Sequence, residues 1–311
     1  MVKCEHAGTG SDCGKGCVMR SVFPDKQGNN GGKDGMKNVM ESLAAEYPQL
    51  YMNPDKDAQE DYKRVVLRGE EPASKSLDIY QGDEADRDEI MDTPAGKVRV
   101  VTLGNRQDFE LVMRNLMAAK SGPLEPVPES QGAAMVTVFN WPRIHAHLAQ
   151  FPEEEQGEEF KRFTSVKENY VDMLVVLSRG PYSHVDAAQA GYEPEAWLDD
   201  SDTIRRYHEL THVICRRKYP GDVSAIRDEL VADAVGLYAA YGCFDIRLEE
   251  LFLGIREGKY TGGRLGNYTD RPEEIAEPVS AAMERIREAV CAGKGQEPFD
   301  LIPSLMEAAR L

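Results

Sequence analysis

The sequence has 311 residues, of which 41% are hydrophobic and 29% charged, a composition typical of a soluble globular protein. Its 54 acidic residues outnumber 37 basic ones, and the resulting net charge of −17 disfavours binding to nucleic-acid phosphates. No apolar run approaches the roughly 20 residues that span a bilayer. The segment from Met1 to His6 is followed by glycine and polar residues, where a signal peptide would need an apolar core. We therefore expect a cytoplasmic protein with neither nucleic-acid nor membrane partners.

The first segment, residues 1–37, is rich in glycine and polar residues and shows no hydrophobic period, which predicts a flexible arm. Within it lie four potential metal ligands: Cys4, His6, Cys13 and Cys17. Their spacing leaves two interpretations open, a second structural zinc site or incidental reduced thiols in a disordered arm.

The next segment has few regular patterns until its end. Met36–Ala45 is predicted as a helix, Tyr62–Leu67 as a short strand and the acidic stretch Leu77–Pro94 as a solvated loop. Lys97–Leu103 is predicted as a strand, and Asp108–Ala119 places its apolar residues on one helical face. A strand followed by a helix is therefore expected here.

A proline-rich connection, Ser121–Gly132, precedes the second half of the chain. After it we predict a strand at Met135–Phe139, a short helix at Arg143–Ala149 and an acidic turn at Glu153–Glu159 that leads into another helix. Asp172–Ser178 has the most apolar centre of any predicted strand and is expected to be buried. The chain beyond it is predicted to be almost entirely helical.

The pattern His208-Glu209-Leu210-Thr211-His212 carries the clearest chemical signal. On a helix, His208 and His212 project from one face and can bind one zinc ion, while Glu209 faces the bound water. We expect Asp200–Asp202 to provide the N-cap of this helix and Tyr219-Pro220 to end it.

A third ligand is available on a second predicted helix, Val223–Tyr241. Glu229 lies seventeen residues after His212 and is the predicted third zinc ligand. Asp233, one turn further on, is predicted to accept the remaining N–H of a ligating histidine and so fix its tautomer. Small residues along this helix favour close approach to the first helix.

The pairing of His-Glu-Leu-Thr-His with Glu-Leu-Val-Ala-Asp resembles the gluzincin group of zinc metallopeptidases. The resemblance covers about 35 residues from His208 to Tyr241. It implies a zincin fold, in which a mixed sheet lies above the active-site helix and a substrate peptide adds to an edge strand. Either Asp172–Ser178 or the strand around Val136 is expected to supply that edge.

A looser resemblance connects the chain to uncharacterised bacterial zincin-like proteins, and it implies no activity. The residues that carry it lie in four places: Asn140-Trp141-Pro142, Ser178-Arg179-Gly180-Pro181-Tyr182, the zinc motif, and Gly262-Gly263-Arg264-Leu265-Gly266-Asn267-Tyr268.

The gluzincin resemblance implies that Glu209 acts as general base toward a zinc-activated water. A donor for the oxyanion is also needed, and related enzymes use a downstream histidine. This chain has no histidine after His212, which is its clearest departure from the pattern. Tyr268 is the favoured replacement, with Arg264 beside it in the same glycine-rich segment.

These observations predict an α+β fold with a mixed N-terminal sheet and a mainly helical C-terminal half. The predicted parts are the arm (1–37), an accessory α/β region (38–130) and a zincin-like catalytic region (131–311). The predicted function is a Zn²⁺-dependent metallopeptidase acting on a peptide or protein; the alternative is a noncatalytic zinc-containing binding protein. Substrate specificity and oligomeric state stay open.

A basic group on the motif helix leaves one further question open. It consists of Arg205, Arg206, Arg216, Arg217 and Lys218. If these side chains reach the cleft, they favour an acidic substrate or one with a free carboxylate; if they face solvent, they complement the helix dipole.

Overall fold

In this computed structural model the described residues are 34–56, 58–117, 127–129, 131–221 and 224–311. They fall into two compact units, one ending before Ser224 and one running from Ser224 to Leu311. The four possible ligands of the arm, from Cys4 to Cys17, lie outside the described residues. The division at residues 37 and 130 stays a prediction.

The first unit contains a four-stranded sheet in the order β1-β2-β4-β3. Its strands are β1 (Arg87–Thr93), β2 (Gly96–Leu103), β3 (Ala133–Phe139) and β4 (Val171–Ser178). The β1–β2 and β3–β4 pairs are antiparallel, and β2–β4 is parallel, so the sheet is mixed. Of the two strands expected to supply an edge, Asp172–Ser178 is excluded because β4 pairs on both sides, whereas β3, which contains Val136, is an edge strand.

Helices and short helical turns complete the first unit. The α-helices are α1 (Asp34–Glu46), α2 (Gln59–Asp61), α3 (Arg106–Met117), α4 (Trp141–Leu148), α5 (Glu153–Thr164), α6 (Ala187–Ala190) and α7 (Pro194–Lys218). A π-helix spans Tyr62–Leu67, and 3₁₀ turns span Pro48–Tyr51, Lys167–Asn169 and Tyr182–His184.

Alternation along the strands places different helices on the two faces of this sheet. Leu174 and Val176 of β4 point into a core that they share with buried residues of α1 and α3. Met173, of opposite parity, points to the other face, where Arg217 of α7 contacts its sulfur. Helix α7 therefore lies across one face of the sheet, and α1 and α3 cover the other.

Several predicted elements differ from the structure. Tyr62–Leu67 is helical rather than a strand, and it buries Val65 and Val66 on one side. The predicted loop Leu77–Pro94 contains β1, and α5 already begins at Glu153 where a turn was predicted. The predicted helices in α1 and α4 are confirmed, and so is the one in α3 as far as Met117; the last two residues of the predicted Asp108–Ala119 lie outside the described residues. The predicted strands within β2, β3 and β4 are confirmed.

Helix α7 also begins earlier than predicted, at Pro194. Proline fits the first turn because its missing N–H has no helical partner there. Ser201 and Asp202, predicted as caps, are instead buried within the helix. The basic residues Arg216–Lys218 lie in the last turn, where the helix dipole favours positive charge.

The second unit is mainly helical. Its elements are α8 (Ala225–Tyr241), α9 (Ile246–Leu253), the two-residue strands β5 (Ile255–Arg256) and β6 (Lys259–Tyr260), α10 (Pro272–Ala292) and α11 (Ile302–Ala308). Two 3₁₀ turns span Arg264–Asn267 and Pro298–Leu301. Ser224 caps α8, and Asp245 caps α9 through two backbone N–H groups. Nearly all of α8 after Glu229 is buried.

The two units together confirm the predicted α+β class, with a small mixed sheet and a mainly helical C-terminal part. Among the described residues, no helix has both the length and the hydropathy needed to cross a membrane.

Candidate metal centre

Two histidines of α7 face one another. His208 and His212 are 6% and 9% exposed, and their Nε2 atoms are 3.0 Å apart. Their rings stand nearly perpendicular, at 86°. Residues four apart lie one above the other on a helix, which explains why the motif brings these nitrogens together. The two Nε2 atoms are therefore close enough to bind one ion between them.

The other ring nitrogen of His208 contacts a tyrosine for which the sequence predicted no role. The hydroxyl of Tyr182 lies 2.9 Å from Nδ1 of His208. Tyr182 belongs to the segment after β4 and is only 4% exposed. A histidine that binds metal through Nε2 carries a proton on Nδ1, and this N–H can then donate to the Tyr182 oxygen.

The segment carrying Tyr182 is held against α7 by side chains of that helix. Arg205 donates from Nη1 to the carbonyl of Ser178 at 3.0 Å and from Nη2 to those of Gly180 and Pro181 at 3.0 and 3.1 Å. Its guanidinium also lies over the Tyr182 ring, 5.7 Å from the centroid. Burial lowers the pKa of Arg205 from its usual value.

Two further contacts of α7 fix the same segment. The backbone N–H of Tyr182 donates to Oγ of Ser201 at 2.9 Å, and Nε1 of Trp197 donates to the Val185 carbonyl at 2.7 Å. Ser183 and His184 have φ values of 54° and 58°, a left-handed conformation that is unfavourable for residues other than glycine. Such strained backbone persists only where surrounding contacts determine it.

In the second unit, α8 presents Glu229, whose Oε2 accepts a hydrogen bond from the Tyr268 hydroxyl at 2.9 Å. Burial raises the pKa of Tyr268 well above its usual value, and the negative charge of Glu229 acts in the same direction, while Arg264 opposes it. The hydroxyl therefore stays protonated and acts as a donor near neutral pH.

One turn along α8, Asp233 is fully buried and forms an ion pair with Arg264. The fully buried Glu249 of α9 lies beside it. Burial, and next the charge of Asp233, raise the pKa of Glu249 well above its usual value. Within the described residues, neither Glu249 oxygen has a hydrogen-bond donor, and protonation resolves this because its O–H can donate to Asp233.

Close backbone packing brings Arg264 and Tyr268 to α8. A Cβ atom at Gly263 would meet the backbone of Gly254 at 2.6 Å, so only glycine fits this approach. The Tyr260 hydroxyl donates to the Gly263 carbonyl and accepts from its N–H, at 2.9 and 3.1 Å. The segment containing Arg264 and Tyr268 is therefore anchored at its start.

The three predicted ligands come together. One ligand atom from each of His208, His212 and Glu229 lies within 4.8 Å of the others. Two imidazole nitrogens bound to one tetrahedral zinc at 2.0–2.1 Å would stand about 3.3 Å apart, close to the 3.0 Å between the two Nε2 atoms. This group of two histidines and a carboxylate could hold a metal ion, and its donor atoms suit zinc.

The comparisons with known proteins identify a family. The chain belongs to the DUF7005 family. The family model matches residues 32–292, and its description is a family of unknown function. No curated protein and no solved structure matches the chain. Membership of DUF7005 therefore assigns no activity.

The remaining predicted residue of this DUF7005 protein, Glu209, is half-buried on α7 between the two histidines. The role of Asp233 toward a histidine, and those of Glu209, Tyr268 and Arg264 in catalysis, stay predictions. The structure does place Arg264 and Tyr268 against the acidic residues of α8.

The basic group of α7 does not form one charged surface. Arg205 is buried against the backbone carbonyls of the Tyr182 segment, and Arg206 pairs with Glu89 and Asp202. Arg216–Lys218 are exposed at the end of the helix. The buried members thus serve internal contacts, and the exposed ones complement the helix dipole.

Two residues of the site escaped prediction from the sequence. Tyr182 precedes His208 by 26 residues, and its contact depends on the course of an irregular segment. Glu249 lies in an ordinary amphipathic helix, where a glutamate is usually exposed. The sequence around Tyr182 did contribute to the zincin-like resemblance, and that was the only available signal.

Proposed function

We propose that this DUF7005 protein is a zinc-dependent metallopeptidase that hydrolyses bonds in a peptide or protein. The observation that carries the proposal is the group of ligand atoms from His208, His212 and Glu229 within 4.8 Å. A site with three protein ligands leaves a fourth position for water or substrate, which is the arrangement of catalytic rather than structural zinc.

The resemblance to gluzincins supports this proposal. The two histidines lie on one helix and the glutamate on the next, followed by an aspartate four residues later. A mixed sheet with an edge strand, β3, lies against the histidine helix. We propose a zincin fold on these grounds. The cytoplasmic location expected from the sequence stays a prediction, and the cysteines give it no support because Cys291 is disulfide-bonded.

Each residue has a separate role in the proposed reaction. A bound zinc ion would supply Lewis acidity and lower the pKa of a coordinated water. Glu209 accepts a proton from the attacking water and passes it to the leaving amine. Tyr268 is protonated, and its single O–H donates to Glu229 in this structure. In the proposed reaction this O–H would leave Glu229 and donate to the oxygen of the former carbonyl. Arg264 forms an ion pair with Asp233 and so helps to fix the segment that carries Arg264 and Tyr268 against α8.

Replacing Glu209 by glutamine tests the proposed function. The amide has nearly the same shape but accepts no proton, so Glu209→Gln should retain zinc and lose at least 99% of peptide cleavage, an effect of about 10²-fold or more. Zinc content and turnover of a mixed peptide library are measured on the same preparations. Glu195→Gln, an exposed change on the same helix, is the matched control and should cleave normally.

Unchanged cleavage by Glu209→Gln would refute the role of this residue. One equivalent of zinc in the unaltered protein, with no cleavage of any library peptide, would instead favour the noncatalytic binding protein.

A further inference from the structure

The hydroxyl of Tyr182 contacts the nitrogen of His208 that faces away from His212. Nδ1 of His208 is 2.9 Å from the Tyr182 oxygen, while Nε2 is 3.0 Å from Nε2 of His212. The two ring nitrogens thus face different groups. A hydrogen bond from Nδ1–H to the tyrosine oxygen leaves Nε2 unprotonated, which is the form that a metal requires.

Tyr182 is held more firmly than its position in an irregular segment would suggest. Arg205 donates to three carbonyl groups that precede Tyr182 in the chain, those of Ser178, Gly180 and Pro181, and Ser201 accepts from the backbone N–H of Tyr182. The edge of the Tyr182 ring also packs against the His208 ring at a centroid distance of 5.9 Å. Tyr182, Ser201, Arg205 and His208 are all less than 7% exposed.

The cost of burying Arg205 requires an explanation. A guanidinium taken out of water loses its hydration, and its hydrogen bonds here go to neutral carbonyls. Its planar fork of donors can reach several acceptors at once, which a lysine ammonium does less well. The contact therefore gives little net stability but strongly defines the path of residues 178–182.

We propose that Tyr182 is the positioning residue for His208, with Arg205 acting through Tyr182 to hold the imidazole in its metal-binding tautomer and orientation. This inference rests on the metal site proposed above. Partners of this kind are commonly carboxylates, which increase the basicity of the ligand. A neutral phenol also fixes the tautomer, but it makes the imidazole a weaker electron donor than a carboxylate would. The metal ion therefore keeps more of its Lewis acidity.

The test measures zinc affinity directly, by competition with a coloured chelator. Tyr182→Phe keeps the ring and removes only the hydroxyl, and we expect zinc affinity to fall 10- to 100-fold. Tyr170→Phe is the matched control, since that ring packs on Phe139, and its affinity should equal that of the unaltered protein. With saturating Co²⁺, Tyr182→Phe should keep a tetrahedral absorption spectrum because its ligands are unchanged.

A double-mutant cycle tests whether Arg205 acts through Tyr182. Arg205→Lys alone should weaken zinc binding, but it should add little when combined with Tyr182→Phe, because the hydroxyl that it positions is already absent. If Arg205→Lys does not fold, Ser201→Ala replaces it in the cycle, because Ser201 holds the same backbone.

The outcomes separate this inference from the proposed function. If the unaltered protein binds one equivalent of zinc and Tyr182→Phe binds it equally well, the role of Tyr182 is overturned and the metal site stands. Fully additive losses in the cycle would overturn the role of Arg205. If the unaltered protein binds no zinc, the proposed function itself fails.

Discussion

Around His208 the supporting contacts are neutral, whereas around Glu229 they are charged. His208 is contacted by the neutral hydroxyl of Tyr182, whose segment Arg205 holds through backbone carbonyls. Beside the Glu229 helix lie Tyr268, the ion pair of Arg264 with Asp233, and Glu249. Neutral contacts fix a tautomer without opposing a metal's positive charge. Buried charges instead make stability depend on complete pairing. Changes in the two regions should therefore have different consequences, in metal affinity on one side and in folding on the other.

The largest expected effect is on stability, from Arg264→Ala. It leaves the buried Asp233 without its cation, next to the buried Glu249, and we expect the free energy of unfolding to fall by about 3–5 kcal/mol. Urea denaturation measures this, and Arg271→Ala, which removes an exposed pair with Glu274, should cost at most about 1 kcal/mol. Equal losses for both variants would show that the charged group is not a structural centre.

The next effect concerns the two tyrosines. Tyr268→Phe should lower kcat about 10²- to 10³-fold, because the proposed oxyanion donor is lost, while zinc affinity changes less than in Tyr182→Phe. Steady-state kinetics and chelator competition on both variants measure the contrast. If Tyr268→Phe weakens zinc binding but leaves kcat unchanged, its hydroxyl supports Glu229 and has no role in catalysis.

The smallest effect is a change in pH dependence, from Glu249→Gln. The pKa of Glu249 is raised in the folded protein above its ordinary value of 4.5. The stability that its proton contributes is therefore complete below pH 4.5 and is lost as the pH rises through the folded pKa. Glutamine cannot ionise, so the variant should lose less stability than the unaltered protein as the pH increases.

Denaturation at several pH values measures the difference in stability between Glu249→Gln and the unaltered protein. Each unit by which the pKa is raised corresponds to about 1.4 kcal/mol of unfolding free energy. Glu273→Gln, at an exposed position of α10, is the control and should follow the unaltered protein. Identical pH profiles for Glu249→Gln and the unaltered protein would mean that Glu249 is ionised in the folded state.

The sequence predicted that His208, His212 and Glu229 come together, because much of that signal is local. Four-residue spacing on a helix fixes the relation of His208 to His212, and the next helix carries Glu229 in the Glu-Leu-Val-Ala-Asp pattern of the gluzincin resemblance. The edge strand β1 was missed because its charged residues pair with distant arginines, Asp88 with Arg99 and Glu89 with Arg206. Alternating burial, the usual sign of a strand, was hidden by these ion pairs.

Other misses have a similar origin in long-range contacts. Val65 and Val66 belong to the stretch predicted as a strand, but the structure buries both of them in a helix. Tyr182 and Glu249 meet the site only through tertiary packing, which a single sequence does not encode in its spacing. The caps predicted for α7 were displaced because Ser201 and Asp202 bind other segments instead.

Metal content tests the central claim most directly. Elemental analysis of the purified protein should give about one zinc per chain, and His208→Ala and Glu229→Gln should each lose most of it. His184→Ala, which changes an exposed histidine, should retain the full amount. Equal zinc in His208→Ala and the unaltered protein, or none in the unaltered protein, would contradict a metal site formed by His208, His212 and Glu229.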